Sequence, residues 1–292
     1  MLALNRLQTA TVILLSAGLL SCAGTTNEST SSQQAPANRD VILATTSSTY
    51  DSGLLDVLIP DFEARTAYRV KPLAVGTGKA LAMAARGETN VLLVHAPSLE
   101  KSLLDSGAVV SRALVMHNYF TIVGPHSDPA EVGAQSSAAN GMRMIAQMGA
   151  RFISRGDGSG TQEMEMRLWD QAEVEPGGSW YQESGQGMGA TLGIASERLA
   201  YTLTDLGTYI ALKHNLGLEP LSDHDPALLN IYSVLEVSES RFPEVNGEGG
   251  RAFAEYLVSS HAQDIIKKFG LDRYGESLFI PSAGQSEGEI GE

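Results

Sequence analysis

The chain opens with an apolar run over residues 10–20, broken only by Thr11 and Ser16 and preceded by a single charge at Arg6. The run is shorter than the ~20 apolar residues that cross a bilayer as a helix, and its shape is that of an export signal. Residues 23–38 are rich in Ser, Thr, Gln and Ala with almost no large apolar side chain, the composition of a flexible tether. From about Asp40 the pattern changes. Short β-rich runs at 41–44, 68–75, 91–94, 119–123 and 152–154 predict strands. Helical spacing of apolar positions predicts helices over 53–65, 79–86, 98–106, 138–148, 162–171, 190–197, 204–213 and 249–269. Such alternation is that of an α/β sheet protein.

Roughly 240 residues follow the tether, enough for two domains of ordinary size. Two extended stretches, 119–125 and 230–237, are candidates for crossovers between them, so that the chain enters a second lobe and later returns. The organisation expected is a signal over 1–21, a tether over 22–39, a first lobe from 40–122 with 232–283, a second lobe from 123–231, and a disordered acidic tail over 284–292.

Composition narrows the partners. The 292 residues carry 20 Lys and Arg against 34 Asp and Glu, a formal charge of −14, so a surface for nucleic acid would oppose its own field. The single cysteine, Cys22, precedes the folded part, which therefore has neither an internal disulfide nor a cysteine zinc site. Leu19-Leu20-Ser21-Cys22 resembles a bacterial lipobox, which makes Cys22 the candidate lipid attachment point and the tether its spacer. An ordinary signal followed by an incidental cysteine is the plainer alternative. No His-Glu-x-x-His pair occurs, Asp223-His224-Asp225 reads as a solvated turn, His95 reads as a packed residue, and no metal or cofactor is expected.

The candidate chemistry lies in a repeated device, a β-like run followed by a Gly/Ser/Thr-rich loop and a helix. It occurs around Thr45, Thr46, Ser47 and Ser48, around Thr77 and Gly78, and at Arg155-Gly156-Asp157-Gly158-Ser159-Gly160-Thr161. A fourth loop, with Gly187, Met188 and Gly189, lacks a clear preceding strand. Helix N-termini present unpaired N–H groups and the positive end of the macrodipole, the elements of an anion site. Hydroxyls add uncharged donors, and Arg155 adds a fork suited to tetrahedral oxyanions. Helix capping alone accounts for any one loop; several together point to a shared ligand. A nucleotide loop at Gly76-Thr77-Gly78-Lys79 fails, because Leu73 and Ala80 stand where its glycine and hydroxyl are required. A hydrolase elbow around Ser159 fails because Asp157 occupies the first glycine position.

These loops, with Val91-Leu-Leu-Val-His-Ala-Pro97, Trp180-Tyr181 and Tyr201-Thr-Leu-Thr-Asp205, resemble the substrate-binding proteins of bacterial tungstate ABC transporters over residues 41–283. The resemblance implies a two-lobed periplasmic-binding-protein fold of type II, with the oxyanion in the cleft between lobes joined by two hinge crossovers and no chemistry done on it. It also implies an extracytoplasmic monomer, anchored to the membrane by lipid, that hands tungstate or molybdate to a permease. The ligand shell would be Thr45, Thr46, Ser47, Ser48, Thr77, Gly78, Arg155, Ser159, Gly160 and Thr161, with Gly187, Met188 and Gly189. The chain departs from the family at Asn90, where Asp is usual, and at Leu206, where Arg is common. The segment from Arg155 to Thr161 also matches phosphate-binding proteins. Hydrogen phosphate rewards a carboxylate acceptor, a role open to Asp157, which could instead pair with Arg155 or cap a turn. An enzyme acting on a phosphorylated or acylated molecule and an adhesion lipoprotein are the readings from other classes.

Overall fold

The computed structural model describes residues 36, 38–222 and 225–290. Cys22, the signal, most of the tether, and Asp223 and His224 lie outside the described residues. In chain order, β1 (Asp40–Thr45) leads through α1 (Ser47–Asp51) and α2 (Leu55–Arg65) to β2 (Arg69–Ala74), α3 (Thr77–Ala85), β3 (Val91–Val94) and α4 (Pro97–Asp105). Then come β4 (Val109–Pro125), α5 (Ala138–Met148), β5 (Phe152–Ser154), α6 (Gly160–Gln171), β6 (Tyr181–Glu183), α7 (Met188–Arg198), β7 (Thr202–Asp205), α8 (Leu206–Leu212) and β8 (Leu218–Pro220). The chain returns on β9 (Leu229–Val237) and ends with α9 (Gly247–Val258), α10 (Ser260–Lys268), α11 (Leu271–Tyr274), β10 (Ile280–Pro281) and α12 (Glu287–Ile290).

The lobes are defined by what β4 pairs with. From Val109 to Tyr119 it lies antiparallel to β9, in a sheet ordered β10-β4-β9-β3-β1-β2. From Phe120 onward it pairs with β7, and near its end with β8, in the second lobe. One 17-residue strand thus serves both sheets. Its first half escapes sequence reading because Arg112, His117 and Asn118 interrupt the apolar run. Sheets of this kind are covered on both faces, which is why all four residues of β3 are buried.

Three main apolar clusters follow. One, with Ala80, Leu92 and Leu235, belongs to the first lobe, and one, with Phe152, Trp169 and Leu203, to the second. The third joins Leu43, Phe62 and Phe253 of the first lobe to Ile153, Leu192 and Ile210 of the second.

Three sequence expectations are corrected. The helix expected over 204–213 begins only at Leu206, because Thr204 and Asp205 belong to β7, where they pair with Thr121 and Phe120. The helix expected over 249–269 is two helices, divided at Ser259, whose extended backbone ends α9 and whose hydroxyl accepts the amide of Ala262 to start α10. The tail expected to be disordered from 284 is docked as far as Ile290. Glu287 pairs with Lys101 and Arg112, and Ile290 packs beside Leu114 and Ile231.

The second-lobe core is centred on Trp169, which is fully buried against Phe152, Trp180 and Tyr181 and donates its indole N–H to Glu165. Trp169→Ala should lower the unfolding free energy by about 3–5 kcal/mol in urea titration; a loss below about 1 kcal/mol would contradict this packing.

Candidate functional site

The glycine-rich loops meet where the lobes face one another. The first-lobe loop turns from β1 into α1, with Thr46 as N-cap accepting the amide of Thr49. In the second lobe, β5 runs through residues 155–159 into α6, with Ser159 as N-cap accepting the amide of Gln162. This turn requires Gly156, at φ +59°, and a Cβ there would sit 2.6 Å from Glu183. Close approach between the lobes is also glycine-dependent: a Cβ on Gly160 would lie 2.8 Å from the carbonyl oxygen of His95. The Gly78 amide donates across the cleft to the Gly158 carbonyl at 3.2 Å.

Arg155 is 2% exposed. Its Nε donates to the Gln186 carbonyl at 2.8 Å, and its Nη2 contacts Ser47 Oγ at 3.2 Å and pairs with Asp157. Among the described residues Nη1 has no acceptor. Asp157 also accepts the Ser159 amide through Oδ1 at 3.1 Å. It is thus both the partner of Arg155 and a turn cap. Beneath the loop, the buried carboxylate of Glu165 accepts from Ser154, Trp169 and Tyr181 at 2.8, 3.1 and 2.8 Å. Burial raises its pKa, and those donors oppose the rise.

The predicted site residues divide by what they are already bonded to. Amides in the first turn of a helix have no acceptor within it; those of Ser47 and Ser48, Thr77, Gly160 and Thr161, and Met188 have none elsewhere among the described residues. The buried hydroxyls of Thr77 and Thr161, one from each lobe, likewise lack a partner. Ser47 and Ser159 accept hydrogen bonds through Oγ, which leaves their protons available.

The other predicted contributors already have partners in this structure. Thr45 donates its hydroxyl to Leu93 at 2.8 Å and pairs with both neighbouring strands, so it holds the sheet together. The hydroxyls of Thr46 and Ser48 bond to one another at 3.0 Å. The Gly78 amide is engaged with Gly158, as above. Met188 buries its side chain in the shared core. Gly187 N-caps α7, and the backbone there packs closely enough on Ser47 that a Cβ would lie 3.2 Å from it. The Gly189 amide donates to Asp51 Oδ2 at 3.3 Å.

Asp51 was not anticipated, although it stands one helical turn after Ser47 in the first loop. Burial raises its pKa, against the Gly189 amide and the charge of Arg155. Of the family departures, Asn90 accepts the amide of Ile42 through its side-chain oxygen at 2.6 Å, away from the loops. Leu206 packs against the shared apolar core. A cavity of about 410 Å³ adjoins the site at His95 and Gly160, but its charged walls, Lys101, Glu163, Arg167 and Glu287, include none of the loop hydroxyls.

A cleft between lobes linked by the continuous strand β4 and by the return of the chain into β9, with Gly/Ser/Thr-rich loops meeting from both sides, is the architecture of a two-lobed solute-binding protein. Residues 29–261 match the PBP superfamily domain, and the chain belongs to that superfamily. It is 39% identical over 274 residues to the tungstate-binding protein TupA of Peptoclostridium acidaminophilum, covering 93% of this chain and 96% of that one. The crystal structure of the tungstate ABC transporter from Geobacter sulfurreducens is 42% identical with a TM-score of 0.72, over 79% of this chain and 98% of that one. Tungstate-binding protein TupA from Desulfovibrio alaskensis G20 is 40% identical with a TM-score of 0.68, over 84% and 99%. The resemblance carried by the loops therefore holds, and the chain is a solute-binding protein of the ABC-importer type, not an enzyme.

Two outcomes test this geometry without a ligand. Gly160→Ala should separate the lobes, raising the radius of gyration in small-angle scattering; an unchanged radius would show that the His95 contact does not limit closure. Burial lowers the pKa of His95 to about 4, with the Asn230 contact opposing and the Arg155 charge adding to the shift. Between about pH 6.5 and 4 the unfolded chain therefore binds a proton that the folded one refuses, and stability falls as pH falls. His95→Gln should remove about 2–3 kcal/mol of that decline, measured as the difference between the two proteins' urea midpoints across pH.

Proposed function

We propose that the cleft captures tungstate outside the cytoplasm and that the closed protein delivers it to the membrane permease of an ABC importer. The observation that carries the reading is the pair of buried hydroxyls of Thr77 and Thr161, unpartnered among the described residues, on two loops of opposite lobes that the Gly78–Gly158 hydrogen bond joins, beside first-turn amides that are also unpartnered there. A donor-only shell suits a fully ionised tetrahedral dianion. Asp157 here pairs with Arg155 and caps the turn through the Ser159 amide, but its oxygens keep further lone pairs, so phosphate stays an arm of the binding test. Tungstate-binding relatives at 39–42% identity support the choice of tungstate. Molybdate shares this chemistry and is the nearest rival. Attachment of the chain to a membrane through a lipidated Cys22 completes the proposal.

Calorimetry with tungstate, molybdate, sulfate and phosphate on the soluble chain lacking residues 1–22 tests it. Tungstate should bind tightly; no heat at micromolar tungstate, or a response to phosphate alone, would overturn the reading. Arg155→Ala should weaken tungstate binding more than about tenfold, the scale of one charge-assisted hydrogen bond. Thr77→Val and Thr161→Val should each weaken it about tenfold while leaving the unliganded melting temperature unchanged or raised, because each removes an unpartnered buried hydroxyl. A melting temperature that drops with unchanged affinity would assign these threonines to the core.

A further inference from the structure

Below the first-lobe loop a closed ring of buried polar groups crosses the hinge. At its second-lobe end, Asp205 Oδ1 accepts the backbone N–H of Thr208 at 2.8 Å, so that oxygen is an acceptor whether or not the carboxyl carries a proton. Asn118 on β4 therefore turns its Nδ2 toward Asp205, at 3.5 Å, and its Oδ1 toward its register partner Asn230 on β9. Asn230 donates through Nδ2 to that oxygen at 2.8 Å and to the Tyr232 hydroxyl at 2.9 Å. This leaves Asn230 Oδ1 facing His95 Nδ1 at 2.9 Å, and Nδ1 must carry the proton.

His95 Nε2 is then bare and accepts from the Ser48 hydroxyl at 3.4 Å. Having donated, Ser48 accepts from Thr46 at 3.0 Å, and in this sense Thr46 accepts both the Thr49 amide at 3.3 Å and the Thr49 hydroxyl at 2.9 Å. Thr208 closes the ring by donating its hydroxyl to the Ser48 carbonyl at 3.3 Å. Every side chain in the ring is buried.

We propose that Asp205 is a positioning residue for the ligand loop: by setting the sense of this relay it fixes His95 in the Nδ1–H tautomer and directs the Thr46 and Ser48 protons into the hinge. The first-lobe donors that remain for a ligand are the Ser47 and Thr77 hydroxyls and the amides of Ser47, Ser48 and Thr77. The role in binding rests on the tungstate reading above; the tautomer does not.

The test is nitrogen NMR of the histidine rings in 15N-labelled soluble chain, with His95 assigned by His95→Gln, alongside tungstate calorimetry. Wild type should show the Nδ1–H tautomer. Asp205→Asn keeps an oxygen to accept the Thr208 amide and should retain both the tautomer and, within about threefold, the affinity. Asp205→Ala, checked for folding by circular dichroism, should lose the single tautomer and bind tungstate about tenfold more weakly, the effect of disordering one hydrogen-bonding group at a charged ligand. A wild-type Nε2–H tautomer overturns the proposal whatever the variants do, and so does an Asp205→Ala protein that keeps both the Nδ1–H form and full affinity. If Asp205→Ala does not fold, a shift of tautomer in Asp205→Asn overturns it, and retention there with the wild-type Nδ1–H form supports it. A wild type with the Nδ1–H tautomer and no tungstate heat would uphold the relay while removing the function proposed for the cleft.

Discussion

The central constraint is electrostatic: the buried cation of the cleft, Arg155, already has a carboxylate partner in Asp157, and Asp51 stands nearby. A ligand entering here meets little net positive charge. Attraction has to come from oriented dipoles, from hydroxyls and from backbone amides at the first turns of helices on both sides. Such donors act over a few ångströms, and so the backbones must come very close. That requirement explains the glycines at the interface better than any preference for flexibility does, since a methyl group at Gly160 would meet the His95 carbonyl. The acidity of the whole chain is compatible with this arrangement, because charge beyond about 8 Å is screened at physiological salt.

The same closeness sets a demand on what lies beneath. Loops that expose their amides to a shared cleft cannot bond them to each other, and need support from behind. In the second lobe Glu165 supplies it, and in the first lobe the His95 relay does. Both supports are buried and polar, and each group in them is held by donors of defined direction, the condition under which buried polarity rigidifies a structure rather than destabilising it.

Much of this was legible in the sequence. The strand, loop and helix succession around Thr46, Thr77 and Ser159 marked the three converging turns, and the elements 91–94, 138–148 and 152–154 fall where periodicity places them. Arg155 and the unpartnered Thr77 and Thr161 were all visible as motif residues. What the sequence did not disclose is which donors are already engaged. Nothing local distinguishes Thr45, bonded to Leu93, from Ser47, facing Arg155, because the difference depends on partners 48 and 108 positions away. Asp205 was hidden inside an expected helix, and β4 was cut short by polar residues, of which Asn118 belongs to the hinge while Arg112 and His117 pair with Glu100 and Ser282. The acidic tail was misjudged because its composition says nothing of the Lys101 and Arg112 that receive Glu287.

The partner change of β4 at Phe120, beside the start of β9 at Leu229, has a mechanical meaning. The second lobe is an uninterrupted insertion attached at two covalent points, and those points are neighbours in one ladder. Two adjacent attachments define an axis, so relative movement of the lobes reduces to rotation about a line running between the strands, with sideways sliding resisted by the ladder itself. Opening then becomes a motion with a single coordinate, one that a distance between any one well-chosen pair of sites can follow, and both the first strand and the docked chain end travel with the same half of the molecule.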